Sequence, residues 1–420
     1  MNILLMILDD WPGHTAWSMP TIDAELRVPG ARYDHISSSP LCSPSRATLL
    51  TAWEARHHGI RGNGSAARIF ADTLAATSMP AQLKNLGVHT AMLGKPMNNY
   101  YTTSANSVYP TPFAGWSRWF VFKSPDNLDA TYSVDGVETF VLGYSLGVLA
   151  TEAERIIRNV PEPFFIAYWP YAPHDPISEP EDVGKFKTDL WHPPSFNEAD
   201  VTDKPPRWQL ALLTSSQITT LDIRYRKTLR HLQAVDRAFA KMLGALTETG
   251  RLANTLIILT GDQGVTLGEH RHPGAKKSLP WQPVLRTPLY IRGPGVNSVV
   301  AGSRNHLVAT QDIAATILAA YGIADLRDGL SLWTSLGNPT AAPKREDVLF
   351  QNWSTDRFDG LRTRNAAEDD MYCVLQGDTG GEQFYDLTVD PDEMVSLHAE
   401  PSYEALKTVR ASRLTALLAS

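Results

Sequence analysis

The chain has 420 residues, and 38 Lys and Arg against 45 Asp and Glu give a formal charge of −7 with neutral histidines. This balance excludes a strongly basic surface for nucleic acids or acidic membranes, and 43% hydrophobic with 20% charged residues excludes a disordered chain. Cys42 and Cys373 are the only cysteines, too few for a disulfide framework.

The first apolar run covers residues 2–8 and is followed at once by Asp9 and Asp10. It is shorter than the hydrophobic part of a signal peptide with its cleavage site. No segment reaches the ~18 apolar residues of a membrane-spanning helix. We therefore expect a cytoplasmic protein without a membrane segment. The alternative is a secreted protein whose signal has been removed.

Short apolar runs alternate with amphipathic stretches, which predicts an α/β fold with a mostly parallel sheet flanked by helices. Four of these runs are each followed by an ionisable residue: 2–8 by Asp9 and Asp10, 88–93 by Lys95, 164–169 by His174, and 255–259 by Asp262. In open α/β sheets, ligands bind at the carboxyl ends of the strands. We therefore expect these four ends to meet at one site.

A long amphipathic helix is predicted over 221–243, where apolar residues recur every three or four positions. Gly250 is a suitable residue for its end. The stretches 102–127 and 176–208 are rich in Pro, Ser, Asn and Trp. We expect them to be long loops over the strand ends.

The composition shifts toward Asp, Gly and Thr after about residue 335, with short strand-like runs such as 370–375. Residues 403–418 have the spacing of an amphipathic helix. We therefore expect a catalytic α/β domain over 1–335. A C-terminal subdomain over 336–420 would hold a small antiparallel sheet and a terminal helix.

The carboxylates Asp9, Asp10 and Asp262 are candidate ligands of a divalent cation. Adjacent carboxylates repel each other unless a cation or a shared proton relieves them, and hard oxygen ligands suit Ca²⁺ or Mg²⁺. The alternative is a pair of solvated aspartates in a turn. A second acidic strand end at Asp262 favours the metal site.

Residues 41–51 predict a helix, with Ser43 as its cap and Pro44 at its first position. Cys42 would then lie beside exposed N–H groups that favour anions. Arg46 would lie over the same turn. The alternative is a buried cysteine before a capped helix.

Residues 42–46, Cys-Ser-Pro-Ser-Arg, match the Cys-x-Pro-x-Arg signature of the type I sulfatases, a family with the alkaline-phosphatase-like fold. Other segments resemble that family in the same order: Gly94-Lys95, Ala172-Pro173-His174, Asp262 with Gly264, Lys277, 286–295, and 384–387 with Asp390, Pro391 and Glu393. The resemblance therefore spans nearly the whole chain. Within the family, residues 94–100 and 225–243 are most similar to the N-acetylglucosamine-6-sulfatase branch.

The resemblance implies that a formylglycine-generating enzyme oxidises Cys42 to formylglycine, whose hydrate attacks sulfur. It also implies a divalent cation, usually Ca²⁺ with Mg²⁺ as the alternative. The cation would be held by the modified Cys42 together with Asp9, Asp10, Asp262 and Gln263.

The remaining roles come from the same resemblance. Arg46 would hold the aldehyde hydrate and the nearby carboxylates. Lys95 and Lys277 would bind sulfate oxygens, and Lys277 is preferred over Lys276 because of its distance from 286–295. His174 would contact or protonate the leaving-group oxygen.

Three positions depart from the family pattern. Gln263 stands where Asn or His is usual, which places its carbonyl one methylene further out. Met97 replaces a histidine that is thought to assist sulfate release, a task that Asn98 or another histidine would have to take over. Residues 51–53, Thr-Ala-Trp, replace Thr-Gly-Arg.

Three functions follow from these residues. The first is hydrolysis of a sulfate monoester, including that of a sulfated sugar. The second is hydrolysis of a phosphonate or phosphate ester on the same scaffold. The third is anion binding with little turnover, which Gln263 and Met97 favour. The sequence leaves the natural substrate and the oligomeric state open.

Overall fold

The computed structural model describes residues 1–101, 107–297, 302–341, 344–354, 356–376 and 380–420. Its strands are β1 (Asn2–Leu8), β2 (Ala31–Ile36), β3 (His89–Gly94), β4 (Arg118–Phe122), β5 (Leu128–Val134), β6 (Val137–Tyr144), β7 (Phe164–Trp169), β8 (Thr255–Gly261), β9 (Arg286–Arg292), β10 (Gly302–Ala309), β11 (Asp347–Asn352), β12 (Phe358–Arg364), β13 (Asp369–Leu375) and β14 (Gly381–Asp386).

The α-helices are α1 (Pro20–Ile22), α2 (Cys42–Thr51), α3 (Ala55–His58), α4 (Ala66–Ile69), α5 (Met79–Asn85), α6 (Ser145–Asn159), α7 (Ser215–Glu248), α8 (Gln282–Leu285), α9 (Thr310–Ala320), α10 (Trp333–Gly337) and α11 (Glu404–Ala419). None of these described helices combines the length and the apolar character that a membrane span requires. The cytoplasmic location stays a prediction.

Ten strands form one sheet in the order β10-β2-β9-β8-β1-β7-β3-β4-β5-β6. The pairs from β8 to β4 across its centre are parallel, whereas β9 and the β5–β6 edge run antiparallel to their neighbours. Every residue of β1, β7 and β8 is buried, as expected of central strands covered on both faces. The predicted mostly parallel α/β sheet is therefore confirmed.

Side chains of β1 alternate between two apolar cores. Ile3, Leu5 and Ile7 belong to the core that includes residues of α2 and α9, and the residues between them belong to the core that includes residues of α6 and α7. This two-residue period is that of a β-strand with a core on each face. Helices on both faces leave the strand ends as the open edge of the sheet.

The predicted helix over 221–243 is part of α7, and Gly250 follows its end with φ of 70°. Residues 176–208 are irregular apart from single turns of 3₁₀-helix, as predicted. The loop predicted over 102–127 was wrong in part because it contains β4, which pairs with β3 and β5. Residues 102–106 of that stretch lie outside the described residues.

Strands β11, β12, β13 and β14 form a separate antiparallel sheet in that order. The predicted strand over 370–375 is part of β13, and the predicted terminal helix is α11. Leu414 of α11 belongs to one apolar cluster with Leu349 and Tyr372. The small antiparallel sheet is therefore confirmed, whereas the boundary between 335 and 336 stays a prediction.

Candidate active site

The four strand ends singled out in the sequence lie together, because β8, β1, β7 and β3 are consecutive in the sheet. The amide of Asp9 donates to Ala172 O at 3.0 Å, and that of Asp10 donates to Asp262 Oδ1 at 3.1 Å. The amide of Lys95 donates to Trp169 O at 2.8 Å. These bonds join the segments that follow β1, β3, β7 and β8.

Cys42 is the first residue of α2 and is fully buried. Its Sγ lies 3.1 Å from Lys277 Nζ, 3.4 Å from Gln263 Nε2 and 3.5 Å from Asp9 Oδ1. Asp10 Oδ1 is 4.0 Å away. The sulfur therefore lies at the centre of the group of strand-end side chains.

The prediction that Ser43 caps this helix was wrong. The helix begins one residue earlier, with Leu41 as its N-cap and no capping side chain. Ser43 therefore lies within the first turn, where its N–H donates to Asn63 Oδ1 at 3.0 Å and its Oγ accepts from Asn98 N at 3.0 Å.

Arg46 lies one helical turn after Cys42 and is also fully buried. Its Nε donates to Asp262 Oδ2 at 2.8 Å, and its Nη2 lies 3.6 Å from Asp9 Oδ2. The spacing of four residues places both side chains on the same face of α2. The Arg46 guanidinium therefore contacts two of the three carboxylates.

Two lysines contact the aspartates after β1. Lys95 Nζ donates to Asp9 Oδ2, and Lys277 Nζ lies 2.8 and 3.0 Å from the Asp10 oxygens. Burial raises the pKa of Asp9, but the charges of Lys95 and Arg46 outweigh it and hold this pKa below its usual range. The half-exposed Lys276 instead lies 3.7 Å from Asp356.

Asp262 is held by several donors while it remains fully buried. Its Oδ1 accepts from the amides of Asp10 and Gln263, at 3.1 and 2.9 Å, and its Oδ2 accepts from Arg46. Burial raises its pKa to about 6, and the negative charges of Asp9 and Asp10 add to the effect. A bound cation would favour the ionised form.

The orientation of the Gln263 amide bears on whether the residues at the strand ends fit a cation. Its Nε2 donates to Asp10 Oδ1 at 2.5 Å, whereas its buried Oε1 has no hydrogen-bond partner in the part of the chain that the structure describes. Amide nitrogen and oxygen are exchanged by a simple flip. That flip would turn the carbonyl oxygen toward Asp10 and Cys42, an arrangement that a cation between them makes favourable. The donor set therefore fits a hard divalent cation.

His174 is a partly exposed member of the group, with 22% of its side chain accessible, the same fraction as Lys277. Its Nε2 lies 3.3 Å from Asp10 Oδ2, and its Nδ1 lies 3.0 Å from Asp175 Oδ2. Tyr171 stacks on the imidazole at 4.6 Å and lies 5.3 Å from Lys95 Nζ. Sequence reasoning missed Tyr171 and Asp175, although both flank the Ala-Pro-His segment.

All nine predicted site residues come together: Asp9, Asp10, Cys42, Arg46, Lys95, His174, Asp262, Gln263 and Lys277. Met97 instead packs in the apolar core. Asn98, the suggested substitute, contacts Ser43 at the start of α2. The roles of the nine residues stay predictions.

A family profile and a known relative both indicate the same protein family. The Sulfatase family profile matches residues 2–323. The chain is 26% identical to N-acetylglucosamine-6-sulfatase of Homo sapiens, over 86% of this chain and 73% of that protein.

Two solved structures share the fold. The complex of BT4656 with its substrate D-glucosamine-2-N,6-O-disulfate has a TM-score of 0.81 and 22% identity, covering 99% of this chain and 97% of that one. The phosphonate monoester hydrolase of Silicibacter pomeroyi has a TM-score of 0.73 and 18% identity, covering 99% and 94%.

Proposed function

The chain belongs to the sulfatase family, and we propose that it hydrolyses a sulfate monoester of an amino sugar through a nucleophile derived from Cys42. The observation that carries this proposal is the position of the Cys42 sulfur, 3.1 Å from Lys277 Nζ and 3.5 Å from Asp9 Oδ1 at the strand ends. Cationic side chains and candidate metal ligands surround this sulfur, and such a site suits an anionic substrate.

The unmodified thiol is a poor nucleophile at this position. Burial raises the pKa of Cys42 to about 12 and outweighs the positive charges of Lys95 and Lys277, which lower it. The thiolate is the reactive form of cysteine. We therefore propose that Cys42 is oxidised to formylglycine by a formylglycine-generating enzyme. The hydrated aldehyde supplies a hydroxyl oxygen that attacks sulfur.

The donor set of three carboxylates and the Gln263 amide supports a divalent cation. The carboxylates of Asp9, Asp10 and Asp262 are each paired with a cationic side chain, so the buried group is close to neutral. A divalent cation on those carboxylates and Gln263 would make it positive. A positive site attracts the negatively charged sulfate ester. We propose Ca²⁺ as this cation, with Mg²⁺ as the alternative.

The lysines and His174 have separate tasks in this proposal. The ammonium groups of Lys95 and Lys277 bind sulfate oxygens, where negative charge increases as the ester breaks. Both lie beside carboxylates at the strand ends. His174 is partly exposed, as is Lys277. Because imidazole transfers protons near neutral pH, His174 serves the leaving-group oxygen.

The substrate class is supported by a relative. The similar human protein is an N-acetylglucosamine-6-sulfatase. We therefore propose that this chain acts on the 6-O-sulfate of a glucosamine derivative. Turnover of N-acetylglucosamine 6-sulfate by the formylglycine-bearing protein tests this, with sulfate release as the readout. We expect measurable release that depends on Ca²⁺.

A second candidate is phosphonate monoester hydrolysis, favoured by the similar fold of the Silicibacter pomeroyi enzyme. A phosphonate monoester and 4-nitrophenyl sulfate, compared by kcat/KM on the same preparation, separate the two functions. We expect the sulfate ester to be preferred. Equal or faster turnover of the phosphonate would make the sulfatase proposal wrong.

A further inference from the structure

The environment of His174 contains an acceptor that the sulfatase signature does not include. Asp175 Oδ2 lies 3.0 Å from His174 Nδ1 and accepts a hydrogen bond from the Tyr171 hydroxyl at 2.6 Å. Its other oxygen lies 3.9 Å from Arg224 Nη1. One carboxylate oxygen therefore joins the imidazole and the phenol.

The backbone holds Asp175 in an uncommon conformation. Its φ of 43° lies in the left-handed region, which glycine adopts freely and asparagine and aspartate adopt more often than most other residues. The buried Asn127 supports this turn, because its Nδ2 donates to Asp175 O at 2.9 Å. Tyr171 stacks on His174 with an angle of 25° between the rings. The Asp175 side chain is 62% exposed, and its contacts with Tyr171 and His174 orient it toward the imidazole.

This arrangement determines where His174 carries its proton. Burial raises the pKa of Asp175, but the hydrogen bonds and charges around it, first that of Tyr171, hold it below the usual range. An ionised carboxylate only accepts hydrogen bonds. His174 therefore donates from Nδ1 to Asp175, in the neutral ring and in the cation alike. Its Nε2 faces the site, 3.3 Å from the second carboxylate, Asp10 Oδ2.

We propose that Asp175 and Tyr171 are positioning residues that fix the Nδ1–H form of His174 and aim its Nε2 at the leaving-group oxygen. This inference rests on the proposed sulfate ester hydrolysis. When the bond from sulfur to that oxygen breaks, the oxygen keeps the electron pair. It then takes the proton from Nε2–H of the imidazolium, while Nδ1–H stays with Asp175.

Asp175→Asn tests the proposal, because asparagine accepts the left-handed backbone but offers its own N–H groups to Nδ1. A poor leaving group needs protonation, whereas nitrophenolate leaves without it. We expect kcat to fall about 100-fold or more for N-acetylglucosamine 6-sulfate and less than about 10-fold for 4-nitrophenyl sulfate. Tyr171→Phe keeps the stacked ring and should show the same selectivity with a smaller loss.

Asp129→Asn is the matched control. Asp129 also has a positive φ, of 53°, but its exposed carboxylate accepts from Gly143 N. The Asp129→Asn variant should hydrolyse both sulfate esters at the wild-type rate. Equal losses for the two substrates in Asp175→Asn, or no loss for either, would overturn the positioning role.

The tautomer of His174 gives a readout that does not require turnover. In ¹⁵N spectra of histidine-labelled protein, with His174→Gln identifying the signal, Nδ1 of His174 should carry a proton. In Asp175→Asn the proton should move toward Nε2. Wild-type protein that hydrolyses neither sulfate ester contradicts the proposed function. An Nε2–H tautomer in the wild type contradicts the present inference.

Discussion

At the scale of single residues, the surroundings of Cys42 separate it from the second cysteine. Lys277 Nζ, Gln263 Nε2 and Asp9 Oδ1 all lie within 3.5 Å of its sulfur. Cys373 is equally buried but lies in an apolar cluster that includes residues of the C-terminal sheet. Two cysteines of equal burial thus have different chemical surroundings, and only that of Cys42 suits a reaction on an anion.

Cys42→Ala should lower turnover of N-acetylglucosamine 6-sulfate by at least about 10³-fold, because the nucleophile is removed. The free energy of unfolding should change by only about 1 kcal/mol, since one small buried atom is lost. Cys373→Ala is the matched control and should cost a similar amount of stability with full activity. Wild-type turnover in Cys42→Ala would remove Cys42 from the mechanism.

Asp262→Asn should weaken Ca²⁺ binding by at least about 10-fold, because a neutral amide replaces a charged ligand. The single amide oxygen can accept either from Arg46 or from the amides of Asp10 and Gln263, which in the wild type donate to different oxygens of Asp262. Calorimetric titration with Ca²⁺ measures the affinity. The control Asp359→Asn changes a buried carboxylate of β12 that accepts from Gln351, and it should bind Ca²⁺ normally. Unchanged affinity in Asp262→Asn would exclude Asp262 as a ligand.

At the scale of elements, the close contact of β3 with β7 positions Lys95. Gly94 has φ of 110°, and a Cβ at this residue would lie 2.1 Å from Trp169 O. The next amide, of Lys95, donates to that same oxygen. Only glycine therefore allows β3 to end where the Lys95 side chain meets Asp9.

Gly94→Ala should lower the free energy of unfolding by about 3 kcal/mol or more, through backbone strain and the clash with β7. Activity should fall as well, because Lys95 is displaced. Gly87→Ala is the matched control. Gly87 also has a positive φ, of 83°, but there is open space around its Cβ position. Gly87→Ala should therefore lower the free energy of unfolding by about 1 kcal/mol and keep full activity. Urea denaturation measures the free energy of unfolding of both variants. Equal losses of stability in the two variants would contradict the clash with β7.

The strand ends could be predicted from the sequence because a buried strand followed by an ionisable residue is a local pattern. Strand β4 was missed, since its five residues depend on pairing with β3 and β5. Asp175 was missed for another reason. Its contact with His174 requires a left-handed backbone. An aspartate in a sequence indicates such a backbone less clearly than a glycine does.

At the scale of the whole molecule, the C-terminal part is joined to the catalytic sheet through buried polar contacts as well as apolar ones. Glu393 follows β14 and is fully buried. Its Oε2 accepts from the amide of Gln282 at 2.8 Å, at the start of α8. Its Oε1 has no hydrogen-bond partner among the described residues. Burial raises its pKa from 4.5 to about 8.

This pKa predicts how stability depends on pH. Between pH 4.5 and 8 the folded protein keeps a proton on Glu393 that the unfolded chain releases. The contribution to stability is therefore complete below pH 4.5 and is lost as the pH rises through 8, by up to about 1.4 kcal/mol per pH unit. Glu393→Gln removes this proton, so its free energy of unfolding should fall less between pH 5 and 8 than that of the wild type.

Urea denaturation of both proteins across this pH range measures the difference. Parallel curves for the wild type and Glu393→Gln would show that Glu393 is ionised in the folded protein. Gln383→Glu offers a converse test. It introduces a carboxyl group at a fully buried position of β14, and it should make stability fall more steeply as the pH rises.

The proposed function depends most on the chemical state of residue 42. The mass of the peptide that contains Cys42, measured on protein purified from its native host, tests this state directly. We predict the mass of the formylglycine form for most of the peptide. A peptide that carries only unmodified cysteine would contradict the proposed nucleophile and favour the anion-binding protein with little turnover.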